Sequence, residues 1–277
     1  MDSYAEIAYE VAAKVATVRL DRPEARNGYT IRMADELAHA LDRADRDEDV
    51  RAVVLGTTGK DFSVGADLSS GGFDFGDRPP DDWQEPAGRV SKRIFTMNKP
   101  VIAALRGASV GAGITITLSC DYRFASTDSK FGFVFTRRGI YPEGASAWFL
   151  PRLVGMGAAV DWMVSGRLFG PDEALRSGLV HQIHDPGDVL AQAQAKAKEI
   201  AETTAPVAVA VTRQLLYRMA SAPSPFDVHQ VDSKLISQLS SNPDAVEGIA
   251  SFFQKRPPEF PLRVDRDLPP YLPWISE

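Results

Sequence analysis

Ala16-Thr17-Val18-Arg19-Leu20 alternates apolar and polar positions and stops at the turn-forming run DRPEARNG. A period of two predicts a strand. From Thr30, a residue suited to capping a helix, Met33, Leu37, Ala40 and Leu41 recur at helical spacing. Arg51 to Leu55 (RAVVL) predicts a buried strand and Pro100 to Leu105 (PVIAAL) another, followed by a glycine-rich turn and a helix through GITITLS. Tyr122 to Ala125 and Lys130 to Phe133 predict short strands. From Glu143 onward the period is helical, with helices expected near 144–153, 157–166, 189–203, 205–219, 226–240 and 244–255.

Two stretches break the pattern. SSGGFDFGDRPPDDWQEP, from Ser69 to Pro86, combines Gly, Pro and Asp with scattered aromatics and predicts a surface loop able to act as a lid. The proline-punctuated C-terminus, KRPPEFPLRVDRDLPPYLPW, predicts an extended tail lying over a neighbour.

Composition narrows the function. The 277 residues are 44% hydrophobic and 25% charged with net charge −6, which gives no basic footprint for nucleic acid. Cys120 is the only cysteine, so neither an intrachain disulfide nor a multi-cysteine metal site is available. The N-terminus shows no secretory signal, and no apolar run reaches the ~18 residues of a membrane span. A soluble cytoplasmic protein without a metal or resident cofactor is expected.

Several motifs compete for the chemistry. GTTGKDFS lacks P-loop spacing, and GAGITI lacks the third glycine and the acidic partner of a dinucleotide fold. Gly107-Ala108-Ser109-Val110-Gly111 satisfies GxSxG and makes Ser109 a candidate nucleophile, with histidines later in the chain. No HGGG-type stretch precedes it, however, and the second half of the chain is helical. DFSVGADL places small residues where backbone N–H groups can approach a ligand oxygen, and Val110-Gly111-Ala112-Gly113 opens a helix with free donors. Converging, two such donors would hold the oxygen of an enolate-like thioester. Glu143, in GIYPEGASAW, is either an acidic residue in a helix's first turn or a proton carrier.

Taken in order, DFSVGADL, KPVIAALRGASVGAGITITLSCDYRFAS, KFGFVFTRRGIYPEGASAWFLPRLVG, LFGPDEALRSGLV and EGIASFFQKRPPEF resemble the crotonase superfamily of enoyl-CoA hydratases and isomerases. The resemblance runs from about Ile7 to Phe260. It implies an α/β fold: a spiral of ββα units over residues 1–200, then a helical trimerisation region and extended tail over 201–277. It also implies a homotrimer or hexamer acting on an acyl-CoA thioester.

Site residues follow by motif. The resemblance puts the two oxyanion N–H donors on Ala66 and Ala112, beside Gly65 and Gly111. The acyl-CoA would run along Glu24, Ala25, Arg26 and Gly28 and along Ser63, Gly65, Asp67 and Leu68. Arg26 would compensate for Glu24, which stands where many members carry a basic residue, and Lys255 would meet the CoA phosphates. The two glutamates of prototype hydratases are replaced by Thr115 and Phe135, neither able to carry a proton as a carboxylate does. Phe135, with Phe73, Phe75 and Trp83, would line an acyl pocket. Glu143 stands where isomerase members carry their single glutamate, with Ile140, Tyr141, Trp148 and Phe149 placed to desolvate it. The implied function is double-bond isomerisation of an enoyl-CoA with Glu143 as acid/base. Alternatives are a hydratase that recruits a second acid, for instance Asp74, Asp77, Asp81 or Asp82 of the loop, a catalytically silent CoA-binding subunit, and a serine hydrolase using Ser109.

Overall fold

The computed structural model describes residues 4–69 and 82–275. Strands β1 (Ile7–Ala12) and β2 (Val15–Leu20) form an antiparallel hairpin whose two loop residues, Ala13 and Lys14, both take positive φ. That turn matches the right-handed twist of paired strands. Helix α1 (Ile31–Arg46) starts where the Thr30 hydroxyl accepts the Met33 N–H. Strand β3 (Ala52–Thr57), helix α2 (Pro86–Thr96), strand β4 (Val101–Leu105), strand β5 (Ala108–Val110) and helix α3 (Ala112–Thr115) follow. Next come β6 (Tyr122–Ser126), β7 (Lys130–Gly132), α4 (Ser146–Ser165), β8 (Leu168–Phe169), α5 (Pro171–Arg176) and β9 (Gln182–His184). Helices α6 (Val189–Thr203), α7 (Pro206–Met219), α8 (Pro225–Ser237) and α9 (Pro243–Gln254) close the chain.

The main sheet has the order β1-β2-β3-β4-β6-β9, parallel from β2 onward, and β5-β7-β8 forms a second, smaller sheet. Alternate residues of the central strands serve opposite faces. Val53, Leu55, Val101, Ala103 and Leu105 join the apolar stripe of α1 in one core. Val54, Ile102 and Ala104 pack against Ala193, Ala197 and Ala201 of α6, where small residues let the helix lie close to the sheet. Such strands, buried on both faces, read as unbroken apolar runs.

Differences from expectation have local causes. The expected helix through GITITLS lasts one turn. Beyond it the hydroxyls of Thr117 and Ser119 donate to the Ile114 and Ile116 carbonyls at 2.8 and 3.2 Å. The buried Arg123 guanidinium takes the carbonyls of Thr117 and Cys120 at 3.2 and 2.6 Å. Side-chain bonding of this kind competes with helix continuation. The glycine-rich turn before it holds a strand, β5, that pairs with β7 and bridges to Ser63. The helices expected at 144–153 and 157–166 are one element bent at Gly155. Helix α2 had no counterpart in the sequence pattern.

Helix α7 is stitched to the core. Arg213 donates to Asp121 at 2.8 Å and to the carbonyls of Ile94 and Met97 at 2.7 and 2.6 Å, at the C-terminal end of α2. Those carbonyls have no helical donor of their own. The C-terminal tail lies over this chain's own helices: Leu262, Leu268, Leu272 and Trp274 pack with Val207, Val211 and Val231.

Candidate active site

The segment 22–28, the DFSVGADL stretch and β5 are clasped together by polar groups. Arg22 ion-pairs with Asp67 at 3.0 Å, and Arg26 with Asp61 at 2.7 Å. Asp61 also accepts the Ala108 N–H at 2.8 Å, and the Ser63 hydroxyl donates to the Asn27 carbonyl at 2.7 Å. Burial alone would raise the Asp61 carboxyl, but its bonds to Arg26 and Ala108 outweigh that and leave it below the ordinary value. Arg22, which holds Asp67 in place, was not among the residues singled out from the sequence.

Tyr29 then frames the first proposed donor. Its N–H donates to the Gly65 carbonyl at 2.8 Å, and the Asp67 N–H donates to its carbonyl at 2.9 Å. Ala66 lies between those two bonds. Neither the Ala66 N–H nor the Ala112 N–H, at the first position of α3, has a hydrogen-bond acceptor among the described residues. The two loops are in contact. Val110 N–H donates to the Ser63 carbonyl at 3.0 Å, Gly65 lies against the Val110 carbonyl, and a Cβ on Gly113 would stand 2.6 Å from Ser63 Cβ. Only glycine at 113 lets the helix start this close to the neighbouring loop.

Glu143 is not in the first turn of α4. It sits in the preceding turn, where its carbonyl accepts the Ser146 N–H and hydroxyl at 3.0 and 2.6 Å. Its carboxyl faces Thr115, whose hydroxyl is within reach of both Glu143 Oε1 (3.4 Å) and the Ala112 carbonyl (3.1 Å). Burial pushes the Glu143 carboxyl up to about 7, the charge of Glu85 adds to the rise, and the Thr115 contact works against it. Tyr29 is buried nearby. Burial drives its phenol well above its usual value, followed by the charges of Glu143 and Glu85, so it stays protonated.

Other sequence-derived residues fare differently. Tyr141 is 89% exposed and does not shield Glu143, and Phe135 is 3% exposed and belongs to the core. Ile140, Trp148 and Phe149 do pack on the same core, next to Phe95. Glu24 and Ala25 lie in a single 3-10 turn, Pro23–Ala25, and Gly28 packs against Asp67. Leu68 is exposed. Arg26, although committed to Asp61, lines a recess of about 370 Å³ with Pro23, Gly59 and Lys60. Lys255 caps α9 and has no bond to the Glu143 site among the described residues. Asp74, Asp77, Asp81, Phe73 and Phe75 lie outside the described residues. The acid that meets the Glu143 turn is instead Glu85, whose Oε1 accepts the Gly144 N–H at 2.6 Å.

The remaining candidates are structural. Ser109 is fully buried in the middle of β5, and no histidine is hydrogen-bonded to it among the described residues. His181 Nδ1 accepts the Arg123 N–H, His184 bonds Gln182, and His39 bonds Tyr4. Burial pushes the Cys120 thiol up to about 12, as expected of a small buried hydrophobe. Among the described residues no cluster of His, Cys, Asp and Glu could hold a metal ion.

A family model described as enoyl-CoA hydratase/isomerase matches residues 10–263. The chain belongs to that family. It is an enzyme of the crotonase type, with the crotonase fold. Enoyl-CoA hydratase ACTT3 of Alternaria alternata is 34% identical, over 89% of this chain and 82% of its own length. The short-chain-enoyl-CoA hydratase of Clostridium acetobutylicum is 32% identical, over 89% of this chain and 94% of its own. The crystal structure of a probable enoyl-CoA hydratase/isomerase from Mycobacterium abscessus superposes with a TM-score of 0.86 at 31% identity, covering 92% of this chain and 98% of that one. Thr115 and Phe135, the two residues that the motif resemblance sets at the prototype glutamate positions, respectively contact Glu143 and lie buried.

Proposed function

We propose that the protein is an acyl-CoA isomerase that shifts the double bond of an enoyl-CoA, with Glu143 as its acid/base. The observation that carries this reading is the partly buried Glu143 carboxyl, raised to about 7, facing Thr115 at the end of the one-turn helix whose first residue supplies the Ala112 N–H. Near neutral pH such a group exists in both forms, as a base that becomes an acid within one turnover requires. Glu143 takes a proton from C2 of a 3-enoyl thioester. The electron pair spreads into a dienolate whose oxygen accepts hydrogen bonds from the Ala66 and Ala112 N–H groups. Glu143 then returns the proton to C4, leaving the 2-enoyl thioester. No water is consumed.

Hydration is the second reading. It is favoured by the names of the relatives and by Glu85, a second carboxylate bonded to the residue next to Glu143. Mass spectrometry of an enoyl-CoA incubated with the enzyme in heavy water separates the two. Deuterium uptake without added water supports isomerisation, and gain of one water supports hydration. Absence of both changes would leave a specialised substrate or a silent CoA-binding subunit.

The acyl-CoA would lie along residues 22–28 and 63–68, with Arg26 and Lys60 beside its charged end and Lys255 reaching it from a neighbouring helix or subunit. A homotrimer or hexamer accounts for the apolar side chains left exposed on the last helices, among them Phe252 and Phe253, each 77% exposed. Sedimentation of the wild type and of Phe252→Asp tests that assembly. No helix among the described residues is long and apolar enough to cross a membrane, which fits the cytoplasmic location proposed.

A further inference from the structure

Two carboxylates meet at the turn before α4, and the reaction above uses one of them. Glu85 immediately precedes α2, and its Oε1 accepts the Gly144 N–H at 2.6 Å. Its Oε2 is buried and has no hydrogen-bond partner among the described residues. The carboxylate folds back over the first turn of α2, where a Cβ on Gly88 would overlap Glu85 Oε1. Glycine at 88 is therefore what lets Glu85 occupy this place. The N-terminal end of an 11-residue helix also favours a negative charge there.

The surroundings leave Glu85 as the charge that matters to Glu143. From α2 come Glu85 and Ser91, whose buried hydroxyl lies beside Gly144. From the end of α3 comes Thr115, and from the segment before α1 the protonated Tyr29. Arg89 of α2 is ion-paired with Asp35 of α1.

We propose that Glu85 is a positioning residue. It pins the Glu143 turn through the Gly144 N–H and sets a like charge beside the Glu143 carboxyl. This inference rests on the reading of Glu143 as the acid/base. Glu85 accepts a backbone N–H at a helix start, Glu143 has only a hydroxyl in contact, and a neighbouring negative charge raises the proton affinity of a buried carboxyl. The like charge thus divides the labour between two residues of the same type.

The test needs no turnover. Protein labelled with carboxyl-¹³C glutamate is titrated by NMR, with the Glu143 signal assigned by its loss in Glu143→Gln. Wild type, Glu85→Gln and Glu85→Ala are compared, and amide hydrogen exchange is followed at Gly144. Glutamine keeps an acceptor for the Gly144 N–H but removes the charge. The Glu143 midpoint is expected near 7 in the wild type and lower by on the order of one pH unit in both variants. Protection of the Gly144 amide should persist in Glu85→Gln and fall in Glu85→Ala. An unmoved midpoint in Glu85→Gln, or unchanged Gly144 exchange in Glu85→Ala, overturns the proposal. Failure to isomerise any 3-enoyl-CoA would count against the proposed reaction alone, because neither readout depends on it.

Discussion

Thr115 Oγ1 lies 3.4 Å from Glu143 Oε1, so two positions 28 residues apart in the chain face the same small volume. The fold brings the end of α3 together with the turn before α4. On the proposed reading, a carboxylate at the second position therefore serves where one at the first would, with the same N–H donors.

Replacing that carboxylate tests the chemistry directly. Glu143→Gln keeps the side chain's size and its contact with Thr115 but cannot exchange a proton. Turnover of 3-enoyl-CoA and deuterium uptake are expected to fall by about 10²–10⁴-fold, with substrate affinity little changed. Stopped-flow absorbance and a binding titration measure the two separately. Retention of most of the rate would remove Glu143 from the mechanism.

Stability should carry the mark of the same group. The Glu143 carboxyl is raised from an ordinary 4.5 to about 7, so the folded chain binds this proton more tightly than the unfolded one. Its contribution is fully present below about 4.5 and is lost as pH rises through 7. Measured by urea unfolding, the wild type should lose on the order of 1–3 kcal/mol relative to Glu143→Gln between those limits. A parallel pH dependence of the two proteins contradicts the shift.

Gly113→Ala probes the joint between the donor loops. The added Cβ would meet Ser63 Cβ at 2.6 Å, and Ser63 is itself held by the Asn27 carbonyl and by β5. The loops must part, at a cost of about 1–3 kcal/mol in stability. Displacing a donor should also lower the rate by about 10²–10³-fold. Thermal unfolding and kcat on the same preparation report both effects, and an unaltered kcat would mean that this joint does not place a donor.

Arg213→Ala should loosen the last helices from the core. It removes one partner of a buried ion pair, leaves Asp121 with the Val101 N–H and the Met97 carbonyl with Gln214, and takes the guanidinium donor from the Ile94 carbonyl. A loss of about 3–5 kcal/mol is expected from equilibrium unfolding. If α7 docks chiefly through its apolar residues, the loss will be under 1 kcal/mol.

The periodic elements were open to sequence reasoning because each obeys a local rule. Alternation gave β2, unbroken apolar runs gave β3 and β4, the Thr30 cap opened α1, and helix α6 ran over 189–203 as expected. Ala66, Ala112 and Glu143 were reached by resemblance of motifs, since no single stretch distinguishes a free N–H or a shielded carboxyl from an ordinary one. Three features depended on partners far away in the chain. Strand β5 exists because β7 and Ser63 accept it, α3 ends because Arg123 collects the carbonyls beyond it, and Glu143 faces Thr115 rather than its own helix. Tyr141, read as a shield for Glu143, and Phe135, read as an acyl-pocket wall, were sorted to solvent and core by packing. Glu85 was invisible for the same reason: its meaning lies in a 2.6 Å bond to a residue 59 positions later. Local periodicity decides which face of an element is apolar, but the proton affinity of a carboxyl depends on burial and neighbouring charge, and those exist only once distant segments have met.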